Sequence, residues 1–408
     1  MKSFSFTAAV LGLLTLGAVA ADPVKVFILA GQSNMEGHAK IATFDYIGDD
    51  PATAPLLKEM RGSDGKSRVC DHVWISNLTS ANNGNGEGTG KVTAGFGARD
   101  NPSKLGEEIG PEFTFGLYMD KALRQPVLII KTAWGGKSLH TDFRPPSAGP
   151  YVPTDVELNK HKFDTPEQKQ QKIEETGRYY HYMIEHVRAV LKDIKRVLPD
   201  YDQRQGYELA GFVWFQGFND LIATETYLPP PGRDVEETKY EKYSEWLADL
   251  IRDVRKDLNA PKMPVVIGVM GIGGPSEKHP RIRAFREAMA APAALPEFKG
   301  NVVAVPTAPF WDDKLGAIDK KHREVGELRW KLGNKVKAGQ MTEKAADQEL
   351  KDFEIKLISP EEVALWDRGA SNGDYHYLGC TKTMARIGRA FAEALIRPAR
   401  ENCVAYPK

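Results

Sequence analysis

Residues 24–37 read VKVFILAGQSNMEG. The run VKVFILA (24–30) is apolar at every position but Lys25 and stops at Gly31. A short continuous run of this kind, rather than an alternating one, fits a parallel strand covered on both faces. The residues that follow bear on both fold and chemistry. Gly31 permits a tight turn. Ser33-Asn34-Met35-Glu36 fits the S-x-x-E pattern, in which Ser33 caps a helix and Glu36 closes the capping box. The same turn suits a nucleophile. In an open α/β sheet, ligands collect at the carboxyl ends of the strands. The positive end of the next helix favours developing negative charge there. A serine is a weak nucleophile until a base takes its proton. From this stretch alone both readings of Ser33 stand, and residues elsewhere must separate them.

Four further runs repeat the strand pattern: PVLIIK (126–131), LAGFVWF (209–215), MPVVIGVM (263–270) and NVVAVP (301–306). Helical patterns lie between them. One starts at the capping box of Thr165-Pro166-Glu167-Gln168 and is expected to run to about Val197. A second covers about Val235 to Leu258. SPEE (359–362) starts another, with Ser359 as cap and Glu362 closing the box. A last helix covers about Lys382 to Ile396, with Met384, Ile387, Phe391, Ala392 and Leu395 on one face. Strands alternating with helices predict an α/β fold: an open, mainly parallel sheet with helices on both faces.

Two regions break the rhythm. Residues 40–110 are rich in Gly, Asn, Asp and Ser, and loops of this length often shape a binding site. Within them SANNGNGEGTG (80–90) is expected to be an exposed loop. Residues 313–357 are dense in charge and divide at Ala338-Gly339. They predict a helical hairpin inserted on the surface, a solvated decoration.

The chain has 408 residues, of which 41% are hydrophobic, enough for a large core. MKSFSFTAAVLGLLTLGAVA (1–20) puts Lys2 ahead of an apolar stretch and ends in Ala18-Val19-Ala20. That is the pattern of a secretory signal peptide, cleaved after Ala20 or Ala21. Its apolar run is short for a bilayer span of about 20 residues. Residues 21–408 are then expected to form one catalytic domain, secreted or periplasmic, without stable membrane insertion. Lys+Arg and Asp+Glu number 55 each, or 54 against 55 once Lys2 is removed with residues 1–20. A balanced charge without a basic cluster argues against a nucleic-acid partner. Cys70, Cys380 and Cys403 have no metal-finger spacing and are too few for a disulfide scaffold. An exported chain has room for one disulfide, with Cys403 near the C-terminus as its first candidate.

A base for Ser33 must come from nine histidines. His376 lies in RGASNGDYHYLG (368–379), a loop between two predicted helices, with Asp374 two residues before it. His181 and His186 fall inside a helical pattern, and no H-x-x-x-H pair suggests a helix-borne zinc site. KTAWGGKSLH (131–140) puts Gly135 and Gly136 just after the second strand run, where bare N–H groups can meet an oxyanion. WFQGFND (214–220) puts Asn219 after the third, where an amide can donate to one. Each block read alone is an ordinary strand-ending turn. Their coincidence at three strand ends, with a histidine loop, outweighs the cap-only reading of Ser33.

The blocks GQSNM, WGG, QGFND and YHYLG resemble the SGNH-hydrolase superfamily, specifically its sialate O-acetylesterase-like carbohydrate esterases. IGPEF (109–113), RGASN (368–372) and the block order fit too. The resemblance covers about residues 24–150, 205–312 and 357–397. It implies a flavodoxin-like three-layer α/β/α fold and a metal-free serine esterase needing no cofactor. Ser33 matches the nucleophile and His376 the base. The Ser33 N–H, Gly135 or Gly136, and Asn219 match the oxyanion hole. Asp374 stands nearest to the triad acid, although the family's acid lies three residues before the histidine, where this chain has Gly373. Gln32, Gln216, Trp134, Trp311 and Arg144 are the candidates for the sugar side: the tryptophans for stacking, Arg144 for a carboxylate. The expected activity is removal of O-acetyl groups from a carbohydrate through an acetyl-enzyme. The alternatives are a non-catalytic carbohydrate-binding protein on the same fold, or a serine hydrolase acting on other esters. No G-x-S-x-G elbow supports a lipase-like reading.

Overall fold

The computed structural model describes residues 22–80, 84, 86–161, 165–229, 231–234 and 238–396. The expected signal peptide and Cys403 lie outside them. The five apolar runs form strands. β1 spans Val24–Gly31. After it come two short strands, β2 (Ala39–Lys40) and β5 (Glu108–Ile109), which pair with each other. Between these lie β3 (Val73–Thr79) and β4 (Gly86–Lys91). The remaining strands are β6 (Val127–Ala133), β7 (Tyr207–Phe215), β8 (Val265–Val269) and β9 (Val302–Pro306). The main sheet has seven strands in the order β4-β3-β6-β1-β7-β8-β9. Only the β3–β4 pair is antiparallel. Helices 112–123 and 381–396 pack on one another, and helices 178–192 and 241–257 add further cover. The α/β expectation thus holds.

The strand order fixes where a ligand can sit. From β1 the chain moves to one side, through β3 and back to β6, then crosses to β7 on the other side. That reversal is the switch point at which an open α/β sheet offers a crevice. The register aligns Gly31 with Ala133 and with Phe215. Residues after β1, β6 and β7 therefore emerge side by side.

Several expectations need correction. β3 arises in the stretch read as mostly loop, and residues 86–90 of the expected exposed loop (80–90) belong to the strand Gly86–Lys91. Glycine-rich β4 has little intrinsic strand propensity. Pairing with β3 holds it, aided by Ser76 Oγ donating to Glu87 Oε1 at 2.7 Å. The long helix from Thr165 is two, Pro166–Glu175 and Arg178–Lys192, followed by a 3₁₀ turn at Ile194–Arg196. The break falls at Gly177, whose φ is +76° and whose N–H donates to Thr141 O at 2.8 Å. Two of the three capping boxes read in the sequence form, at Thr165/Gln168 and Ser359/Glu362. The second long helix spans Glu241–Asp257, and its expected start, 235–237, lies outside the described residues.

The helical hairpin is present as Asp313–Lys337 and Glu343–Leu357. Its base is not a mere decoration. Leu315 belongs to a small buried cluster with Tyr46, Ala370, Leu378 and Cys380, which underlies the His376 loop. Cys70 and Cys380 are buried free thiols.

Candidate active site

The turn after β1 is tight because Gly31 lies against β7. A Cβ at Gly31 would stand 2.1 Å from Phe215 O. Gln32 is the N-cap, and Ser33 is the first residue of a short helix, Ser33–Glu36. The proposed capping box does not form. No side chain caps this helix. Glu36 instead accepts from Ser80 N at 2.9 Å and Ser80 Oγ at 3.2 Å. The Ser33 hydroxyl is thus not engaged as a cap.

Ser33 and His376 line one cavity of about 590 Å³, together with Gly135, Gly136 and Asn219. A Cβ at Gly135 would stand 3.9 Å from the Ser33 Cβ, so the β6 turn touches the β1 turn. The Gly135 N–H already donates to Ser80 Oγ at 3.1 Å. Neither the Ser33 N–H nor the Gly136 N–H meets an acceptor among the described residues. Of the two glycines, Gly136 therefore has the available donor. Asn219 gives one amide proton to Gly136 O at 3.1 Å and leaves the other. Its Oδ1 accepts from Gln32 Nε2 at 2.9 Å, which fixes the amide's direction.

The histidine sits in a strained loop. Tyr377 and Leu378 have φ of +53° and +62°. Such left-handed non-glycine residues cost on the order of 1–3 kcal/mol each. Both side chains are buried, and burying Leu378 alone offsets this by about 1.5–3 kcal/mol. The Tyr377 hydroxyl is held by Thr307 Oγ1 at 2.6 Å and by Gly271 N at 2.8 Å. Asn34 ties this loop to the serine turn, donating through Nδ2 to Tyr375 O at 3.0 Å.

Asp374 does not meet the imidazole. Its carboxylate accepts from Tyr375 N at 2.8 Å and faces Arg323 at 3.4 Å. His376 Nδ1 instead lies 3.1 Å from Asn372 Oδ1. That oxygen also accepts from Gly373 N at 2.8 Å. A backbone N–H only donates, so the amide atom facing it must be oxygen. Nδ1 then carries the proton, and Nε2 keeps its lone pair. Burial, and then the neighbouring His38, push the His376 pKa down to about 3. The His38 ring stacks on it at 4.2 Å.

The other sequence candidates fall elsewhere. Gln32 reaches the cavity wall, but its Oε1 accepts from Gly217 N at 3.0 Å and Gln216 Nε2 at 3.2 Å. Gln216 is buried and also donates to Lys137 O and Asp220. Trp134 is buried, with its indole N–H on Gly84 O at 2.8 Å. Trp311 lines a separate cavity, and Arg144 directs its guanidinium to His140 O, Ala148 O and Gly149 O. None of Gln216, Trp134, Trp311 and Arg144 lines the Ser33 cavity. Phe218, Ile222 and Tyr375 do, and they form an apolar ledge. Asn34 and Asn372 also escaped sequence reasoning. Asn372 was legible only as an amide four residues before His376. Among the described residues no group of three His, Cys, Asp or Glu side chains is placed to hold a metal.

A fully buried ion pair supports the site from below. Lys131 Nζ lies 2.7 Å from Glu112 Oε2 and donates to Glu36 O at 2.7 Å and Phe96 O at 2.9 Å. Burial lowers the Lys131 pKa, and Glu112 opposes that shift.

The switch-point crevice thus holds a serine at a helix start and a histidine whose pKa is pushed down by burial. The family model for carbohydrate esterases described as sialic acid-specific acetylesterases matches residues 23–326, and the chain belongs to that family. Comparison with curated proteins returns no match. Among solved structures, one similar chain is a protein from Arabidopsis thaliana, at 15% identity and a TM-score of 0.43. That likeness covers 93% of this chain and 100% of the other. A second is a carbohydrate acetylesterase from Xanthomonas citri, at 14% identity and a TM-score of 0.37, covering 69% of this chain and 49% of that one.

Proposed function

We propose that this carbohydrate esterase removes O-acetyl groups through an acetyl-enzyme on Ser33. The observation that carries the reading is the shared cavity of Ser33 and His376, with Nδ1–H of His376 held by Asn372. His376 Nε2 takes the Ser33 proton as Oγ attacks the acetyl carbonyl. The oxyanion is met by the N–H groups of Ser33 and Gly136 and by the Asn219 amide. The sugar hydroxyl leaves with the proton from His376. Water then enters and attacks the acetyl carbon as it gives a proton to His376; His376 returns that proton to Ser33 Oγ as the Oγ–acetyl bond breaks, and acetate is released. Asn372 orients the base, as the amide does in Cys-His-Asn sites. The protein is exported, residues 1–20 are removed as a signal peptide, and residues 21–408 act as one catalytic domain.

Acetate release from acetylated xylans, pectins and sialic acids, together with 4-nitrophenyl acetate hydrolysis, tests the reading. Wild type should turn over at least one, and Ser33→Ala should abolish turnover with the fold unchanged by circular dichroism. Retained hydrolysis in Ser33→Ala would remove Ser33 as the nucleophile.

A further inference from the structure

We propose that the site takes an acetylated unit from within a neutral glycan chain, held along a trough with Ser33 at its middle. This rests on the esterase reading and deepens it. The cavity around Ser33 does not stand alone. On one side it shares His38, Ala98, Arg99 and Asp100 with a second cavity of about 550 Å³. On the other it shares Gly136, Asn219 and Ile222 with a third of about 580 Å³. The two outer cavities share no residue with each other. The three therefore follow one another, with the reacting groups in the central one. Each is within the range of about 300–1,000 Å³ that by itself holds a small molecule. One acetylated sugar occupies the centre, and the outer two accept the units joined to it on either side.

The charges along the trough choose the kind of chain. In the cavity beyond His38, Lys40, Arg99 and Lys104 face Asp100, Glu107 and Glu108. In the one beyond Asn219, Lys160 and Lys172 face Asp142, Glu157 and Glu225. Lys160 is already paired with Glu225 at 3.0 Å. Across the two cavities a polyanion would meet six like charges against five opposite ones, so it gains no net attraction. Paired donors and acceptors suit the hydroxyl groups of a neutral sugar. At the centre, Phe218 and Tyr375, with ring centroids 6.0 Å apart, and the half-exposed Ile222 offer an apolar ledge for the C–H face of a sugar ring.

The test is acetate release from partially O-acetylated β-1,4-linked xylose, glucose and mannose oligomers of one to six units. Acetylated polygalacturonate and acetylated sialic acid serve as acidic counterparts, and 4-nitrophenyl acetate reports the reacting groups alone. The kcat/KM should rise about tenfold or more from one unit to six in at least one neutral series, mainly through KM. Leu105→Trp and Lys160→Trp, which fill opposite ends of the trough, should each lower the ratio of hexamer to aryl-acetate kcat/KM about tenfold. A flat length profile in every neutral series, with aryl acetate still hydrolysed, overturns the trough. So does a tenfold preference for either acidic substrate. Loss of all acetyl-ester turnover overturns the esterase reading instead. The trough is then judged by calorimetric binding of the hexamers to Ser33→Ala: tighter binding than the monomers supports it, and equal binding overturns it.

Discussion

Replacing Asn372 separates the two ways in which His376 can be oriented. Asn372 Oδ1 is 3.1 Å from His376 Nδ1 and is fixed as oxygen by the Gly373 N–H. When Ser33 gives up its proton, His376 becomes an imidazolium, and the Nδ1–H bond becomes charge-assisted. A hydrogen bond to a charged group is worth about 1.5–3 kcal/mol. Asn372→Ala should therefore lower kcat/KM by about 10- to 150-fold at pH 8. Asn372→Asp works in the opposite sense. It keeps an acceptor for Nδ1–H and for Gly373 N, and it adds a negative charge beside the ring. An opposite charge at this range moves a pKa by about 1–3 units toward the charged form. The wild-type acid limb of kcat/KM, which reports the free enzyme's base, should lie near the His376 pKa of about 3. In Asn372→Asp it should rise by about 1–3 units, with activity at pH 8 retained. The assay is aryl-acetate hydrolysis from pH 3 to 9, in buffers of constant ionic strength. An Asn372→Ala rate within threefold of wild type, together with an unmoved limb in Asn372→Asp, would refute Asn372 as the orienting group.

The same geometry gives Asp374→Asn a small effect, within a few-fold of wild type, because its carboxylate faces Arg323 rather than the ring; steady-state rates decide this. Asn219→Ala should cost about 2.7–4 kcal/mol of barrier, roughly 100- to 1,000-fold in kcat, measured beside an unchanged circular dichroism spectrum. Lys131→Met leaves Glu112 buried without its partner and should destabilise the fold by about 3–5 kcal/mol in urea denaturation. Adding Glu112→Leu should recover much of that loss. His376 has a folded pKa of about 3 against an ordinary 6.5, so the unfolded chain binds the extra proton between those values. Its stability contribution is complete above about pH 6.5 and is lost as pH falls toward 3. In His376→Gln the urea midpoint should fall less steeply over that window.

The amino-acid sequence by itself determined the parallel strands, because runs such as VKVFILA and PVLIIK are apolar on both faces and admit few other placements. It also determined two capping boxes, at Thr165 and Ser359, and the helical hairpin, whose signals are local hydrogen bonds and short-range periodicity. It pointed to the Ser33 and His376 blocks, which line one cavity. Tertiary structure decided what each polar side chain does. Asp374 is the carboxylate nearest to His376 in sequence, but in the folded loop it faces Arg323 and Asn372 meets the imidazole. Gly135 and Gly136 are equivalent as letters, and Ser80, from a distant strand end, occupies the N–H of one. Trp134 and Arg144 resemble sugar contacts until the fold supplies carbonyl partners for both, Gly84 O for the indole and carbonyls of its own loop for the guanidinium. A polar group takes the partner that spares it an unsatisfied burial. Ser80 and Gly84 lie 55 and 50 residues from the groups they meet, so local pattern carries no record of those contacts.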